Sequence, residues 1–172
     1  MANISTRKIV ICAMLTALTT LATIVIQVPS PMNGYVNFGD VFVLFAAFMM
    51  GPIYGAVSAG LGSALADILT GYVIYAPATL IIKASMAIVA SIVYISLKKS
   101  FKHKQLPMII GGVLAELIMV AGYFLYACLL MGEGLAAAAS IPGNLIQGLV
   151  GIVVGVSVAT VFVNKNPFEK DK

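Results

Sequence analysis

Four ionisable side chains, Asp40, Asp67, Lys83 and Glu116, sit in stretches that are otherwise nearly free of charge, and the amides Gln27, Asn144 and Gln147 accompany them. An ionisable group in a long apolar segment is costly, so each needs a partner or a use. Asp67 and Lys83 flank a short connection near residues 71–74. At a rise of about 1.5 Å per residue their depths are similar, so they can meet as an interhelical ion pair or both face a ligand. Glu116 lies further along the chain with no base nearby in sequence. It can pair with Lys83, hydrogen-bond a ligand, or stay protonated where water is excluded. Asn144 and Gln147 are three residues apart and share a helix face. Such amides read the donor and acceptor edges of a heterocycle, or bridge helices. Asp40, directly after Gly39, has the position of a helix cap.

Tyr35, Tyr72, Tyr75 and Tyr123 fall in or near the connections. Tyrosine suits a membrane interface, and its ring also suits stacking on a flat ligand. This inventory describes binding and not catalysis. There is no Ser/His/Asp arrangement, no HExxH and no phosphate-cradling loop, and the single histidine, His103, belongs to a basic loop. Cys12 and Cys128 have neither CxxC spacing nor a His/Cys cluster around them, so they read as small hydrophobes at helix interfaces. No catalytic residue, metal site or bound cofactor is expected, and the protein is not read as an enzyme.

The elements that must position these residues follow from composition. Of 172 residues 61% are hydrophobic and 9% charged, with a mean hydropathy of +1.07. A soluble domain carries about a quarter charged residues, so most of this chain is solvated by lipid. The basic residues are not interleaved with aromatics, which argues against a nucleic-acid partner. A span needs about 20 apolar residues. The uncharged run at 41–66 is longer than that and is interrupted by Gly51-Pro52, which splits it. The expectation is an all-α integral membrane protein, one domain over 1–172, with six transmembrane helices near 8–27, 38–50, 52–70, 74–97, 107–131 and 140–163. With six crossings, Arg7-Lys8, the Lys98–Lys104 loop and the lysines of the tail share one side, and the opposite connections hold no Lys or Arg. That pattern places both termini in the cytoplasm. The apolar run at 9–26 is read as a retained helix, because no small-x-small cleavage site follows it.

Small residues recur every four positions at Gly51, Gly55, Ala59 and Ser63, and Gly143, Gly148, Gly151 and Gly155 mark the last helix. They let helix backbones approach in lipid, which offers helices no hydrophobic reason to associate. Ala13-x-x-x-Ala17 on the first helix is a weaker version of that signal.

A short, weakly charged six-helix chain with Ala13-x-x-x-Ala17 resembles the substrate-binding S components of energy-coupling factor (ECF) vitamin transporters. Val36-Asn37-Phe-Gly-Asp-Val, Gly51-Pro-Ile-Tyr-Gly-Ala, Gly60 to Asp67, Tyr75-Ala-Pro-Ala-Thr and Lys83 are similar to the middle of that family, and Ile141-Pro-Gly-Asn-Leu-Ile-Gln-Gly to its sixth helix. The resemblance implies a multi-pass protein of the bacterial cytoplasmic membrane. It implies that Ala13 and Ala17 dock on a transmembrane scaffold subunit joined to two ATPases, which use the ATP that this chain does not bind. It also implies a vitamin held in an outer cavity closed by the first external loop. Asn37, Asp67, Tyr72, Tyr75, Lys83, Glu116, Tyr123, Asn144 and Gln147 are the substrate-binding candidates. The middle region looks closer to members that handle small rings, such as hydroxymethylpyrimidine or vitamin B6, with pantothenate and riboflavin as alternatives. Two readings from other classes compete: a ligand-free assembly subunit whose intramembrane charges are interhelical glue, and a self-contained channel or carrier with Asp67, Lys83 and Glu116 as a relay.

Overall fold

A computed structural model describes residues 6–30 and 34–163. The first helix, α1 (Thr6–Val25), leads into a two-stranded antiparallel ribbon, β1 (Gln27–Ser30) and β2 (Gly34–Asn37). Gln27 pairs with Asn37 and Pro29 with Tyr35. A ribbon this narrow has two free edges, so the missing N–H of Pro29 need not cost a ladder bond. Then follow α2 (Gly39–Leu69), α3 (Ala76–Leu97), α4 (Gln105–Leu125), a wide π-helical turn over Tyr126–Leu130, a 3-10 segment over Gly134–Ser140, and α5 (Ile141–Val163).

The 31-residue α2 is broken at Gly51, where φ is 80° and ψ −175°. That conformation suits glycine, and Pro52 then opens a new helical run in a position where its missing N–H is harmless. The break reverses the chain. A Cβ on Gly55 would lie 2.9 Å from the Cα of Ala47, although eight residues separate them, about 12 Å along a straight helix. The half over 39–50 is only about 18 Å long, short of the ~30 Å hydrocarbon core. Among the described residues five helices have the length and composition to cross a membrane, α2 with its break counted as one.

The half of α2 over 52–69 runs between α1 and α3 at backbone contact. A Cβ on Gly62 would meet the Thr16 carbonyl at 2.7 Å, and one on Gly60 the Leu80 carbonyl at 2.9 Å. Thr20 Oγ1 donates to the Gly62 carbonyl at 2.8 Å and Ser91 Oγ to the Ala47 carbonyl at 2.7 Å. The small-residue stripe is therefore spent on internal packing. The apolar core gathers Val43, Leu44, Phe48, Met86, Met108 and Met119, with Phe48 edge-on to Tyr94 at 5.6 Å. Leu21, Ile53, Leu69, Ile81, Leu117, Leu149 and Phe162 point outwards. Such an apolar girdle is what a bilayer solvates. Ala13 and Ala17 lie on the exposed face of α1, opposite Cys12, Leu15 and Thr19, which α1 buries.

Candidate ligand-binding site

The polar residues converge at the end of the bundle that carries the ribbon. Ser30, Gly34, Tyr35 and Asn37 come from the ribbon, Asp67 from the end of α2, and Tyr75 and Thr79 from the start of α3. Tyr123 and Ala127 come from α4 and the turn after it, and Ser140 and Asn144 from the approach to α5. Together they wall a small cavity of about 40 Å³. A larger cavity, about 330 Å³, lies by Gly51, Pro52, Lys8 and Lys98 at the basic end, and it contains none of the predicted substrate-binding residues.

Asp67 is buried at 1% exposure. Tyr35 donates a short hydrogen bond to its Oδ1, while Oδ2 has no hydrogen-bond partner. Burial and the neighbouring Asp67 charge push the Tyr35 phenol far above its ordinary value. Burial, with the Glu133 charge behind it, pushes the Tyr75 phenol up as well. Both rings are thus held as neutral donors. Thr79 Oγ1 and the Tyr123 hydroxyl lie 3.0 Å apart on the adjoining wall. An arc of rings runs round the mouth: Tyr35 to Tyr72 at 4.6 Å, Tyr72 to Tyr75 at 6.5 Å, and Tyr75 to Tyr126 at 5.7 Å.

Of the nine predicted substrate-binding residues, Asn37, Asp67, Tyr75, Tyr123 and Asn144 line this cavity, and Tyr72 backs Tyr35 and Tyr75. Lys83, Glu116 and Gln147 do not line it; they form a second polar layer beneath. The expected pairing of Asp67 with Lys83 is corrected: Lys83 makes its salt bridge with Asp40. The expectation that Asp40 caps its helix is corrected too. Its side chain makes no cap bond, because Oδ1 accepts from Lys83 and Oδ2 from Gln147 Nε2 at 2.5 Å. Lys83 Nζ is also 5.5 Å from the centre of the Tyr123 ring, which joins the two layers.

Glu116 is buried with neither carboxylate oxygen hydrogen-bonded. It fits a notch made by two glycines of α5: a Cβ on Gly148 would lie 3.0 Å from the Glu116 Cβ, and one on Gly151 would lie 2.8 Å from its Oε1. Ser30, Gly34, Thr79, Ala127 and Ser140 line the cavity without a signal named above, and Tyr35, one of the four tyrosines suited to an interface or a flat ligand, lines it with them. For Thr79 the signal is spacing, since Tyr75, Thr79 and Lys83 repeat every four residues down one face of α3. Among the described residues no three of His, Cys, Asp and Glu gather to hold a metal ion.

The comparisons with known proteins agree with this architecture. A solved structure described as the S component of a bacterial ECF transporter superposes with a TM-score of 0.71 at 24% identity, covering 92% of this chain and 96% of that one. An uncharacterised protein of Pyrococcus woesei is 34% identical over 137 residues, 79% of this chain and 88% of its own. The thiamine precursor transporter HmpT of Lactococcus lactis subsp. cremoris is 28% identical over 156 residues, 90% of this chain and 86% of its own. The sequence model of the ECF-type riboflavin transporter S component matches residues 3–163, and the chain belongs to that family of membrane transport proteins.

Proposed function

We propose that this chain is the substrate-binding subunit through which an ATP-driven importer captures a small heterocyclic vitamin or precursor, of the size of hydroxymethylpyrimidine or vitamin B6. The observation that carries this reading is Asp67 Oδ2, a buried acceptor without a partner in the wall of a small cavity lined by tyrosines and amides. A buried acceptor in that state is costly until a donor reaches it. A ring N–H, an exocyclic amine or a hydroxymethyl group supplies the donor, Asn144 presents a complementary edge, and Tyr75 and Tyr123 supply aromatic faces. Pantothenate fits less well, because its carboxylate would face Asp67 while Lys83 is committed to Asp40. The likeness to the thiamine precursor transporter supports a pyrimidine, whereas the family's description makes riboflavin the second reading. The cavity's volume of about 40 Å³ favours the smaller ring.

The remaining roles form one scheme. The reversal at Gly51 supports six crossings, with the ribbon end outside and the basic end in the cytoplasm. Exposed Ala13 and Ala17 offer a close-contact face to a scaffold subunit in the cytoplasmic membrane, and two partner ATPases supply the energy. Denaturing detergent-purified protein and identifying the released small molecule by mass spectrometry tests the substrate. A pyrimidine or pyridine vitamer at one per chain is expected. Stoichiometric riboflavin or pantothenate overturns the substrate class. An empty protein that no B vitamin or precursor stabilises thermally overturns the binding role in favour of an assembly subunit.

A further inference from the structure

Asp40, Lys83 and Gln147 are 1%, 1% and 5% exposed, and none of them lines the cavity. They nevertheless connect to its wall. Asp40 accepts from Lys83 on one oxygen and from Gln147 Nε2 on the other, and Gln147 Oε1 accepts the backbone N–H of Asn37 at 2.7 Å. Asn37 ends β2, and its own side chain accepts the Gly39 N–H at 2.8 Å. The ribbon that Asn37 anchors supplies Ser30, Gly34 and Tyr35 to the cavity.

A glutamine amide has two chemically different ends. Gln147 can hold the Asn37 N–H only with its oxygen turned to the ribbon, which turns its NH₂ to residue 40. An ionised carboxylate only accepts, so Asp40 selects that orientation, and the ammonium of Lys83 balances the charge. Two other side-chain hydrogen bonds tie the ribbon to the far end of α2, Tyr35 to Asp67 and Gln27 to Thr70 at 3.5 Å, the outer limit for a hydrogen bond, and Val36 packs on Gly143 of α5, where a Cβ would lie 3.1 Å from its Cγ1. A ligand that engages Asp67 competes for the first of these. The contact through Gln147 is independent of it.

We propose that Asp40 is a positioning residue for the ligand cavity: by fixing the Gln147 amide it latches Asn37, and with it the ribbon, onto α5. The latch rests on the reading of this cavity as the ligand site, but its test does not need a ligand. Hydrogen exchange, followed by mass spectrometry on the full chain in nanodiscs, reports local opening of residues 34–37. Gln147→Met removes the acceptor and should speed that exchange about tenfold, the worth of one hydrogen bond at ~1.4 kcal/mol. Asp40→Asn should speed it by a similar factor although residue 40 makes no hydrogen bond to Asn37. The double variant Asp40→Asn/Gln147→Glu should restore slow exchange. It swaps the amide and the carboxylate, leaves the number of carboxyl groups around Lys83 unchanged with Glu116 included, and returns an oxygen to Asn37.

Unchanged exchange in folded Gln147→Met or Asp40→Asn overturns the latch. If Asp40→Asn does not fold, the swap decides: slow exchange supports the latch and fast exchange overturns it. Hydroxymethylpyrimidine binding to the wild type is scored separately. Its absence alongside the expected exchange pattern removes the substrate reading and leaves the latch, whereas binding with unaltered exchange does the reverse.

Discussion

The Lys83→Met variant isolates the energetics of the buried layer. Met preserves the length and apolar stem of lysine, so the variant removes mainly the ammonium. Asp40 Oδ1 then loses its donor and Oδ2 keeps only the Gln147 amide at 2.5 Å. Two unit charges about 4 Å apart interact by ~4 kcal/mol at an effective dielectric of about 20. Breaking one partner out of a buried pair costs about 3–5 kcal/mol. A chain unfolded in a micelle still finds some polar partners, which pulls the figure to the lower end of that range. The expected loss is therefore ~3 kcal/mol, more than a hundredfold in the folding constant. Asp40→Asn in the same chain removes the stranded charge, and the double variant should sit only about 1 kcal/mol below wild type, the cost of an imperfectly bonded amide. Unfolding by SDS titration in mixed micelles measures all three forms. A single variant that costs less than about 1 kcal/mol, or a double variant no better than the single, would refute the claim that these two residues satisfy each other.

Two further outcomes follow from the geometry. Tyr35 has its phenol pushed above its ordinary value by burial and by Asp67, so the folded state holds that proton more tightly than the unfolded state, whose phenol titrates near pH ~10. Its contribution to stability is full below that pH and declines as pH rises beyond it. Tyr35→Phe should flatten the alkaline slope of stability, and an unchanged slope would contradict the assignment. Ala13→Trp places a large ring on the exposed face of α1 and should abolish ATP-driven uptake in reconstituted complexes while leaving ligand affinity within about twofold; weakened ligand binding would mean instead that this face packs within the bundle.

The fold was legible wherever a backbone rule applies regardless of neighbours. Gly51-Pro52 marks the reversal in α2 because one residue tolerates positive φ and the other cannot continue the helix before it. The apolar runs fix four of the helices to within a few residues at most ends. The ribbon reads as a connection in the sequence, since Gln27–Ser30 and Gly34–Asn37 are four residues each and neither alternates between buried and exposed positions. Side-chain partners were less legible. Rise per residue gives depth but not azimuth, so Asp67 and Lys83 looked level and within reach. The stripe Tyr75–Thr79–Lys83 turns Lys83 towards the first half of α2, and Asp40 meets it there. Finding Asp40 required knowing that the break at Gly51 folds the two halves of α2 against each other.

The pairing of Lys83 with Asp40 and not with Asp67 shapes the site. Had Lys83 neutralised Asp67, the cavity would hold a satisfied pair and nothing that calls for a donor. Because Lys83 is taken by Asp40, one oxygen of Asp67 stays unmatched, with Tyr35 of the ribbon bonded to the other. The two carboxylates thus divide the work by depth. Asp40, balanced by Lys83 and bonded on both oxygens, is a fixed reference for the Gln147 amide and the base of the ribbon. On the proposed reading Asp67, half satisfied, is the group whose state would change when a donor-bearing ring arrives and Tyr35 must share or yield it. A buried pair adds little net stability compared with apolar packing. Its value here is directional, since an acceptor-only group with a fixed charge orients an amide, which a leucine in the same place could not do.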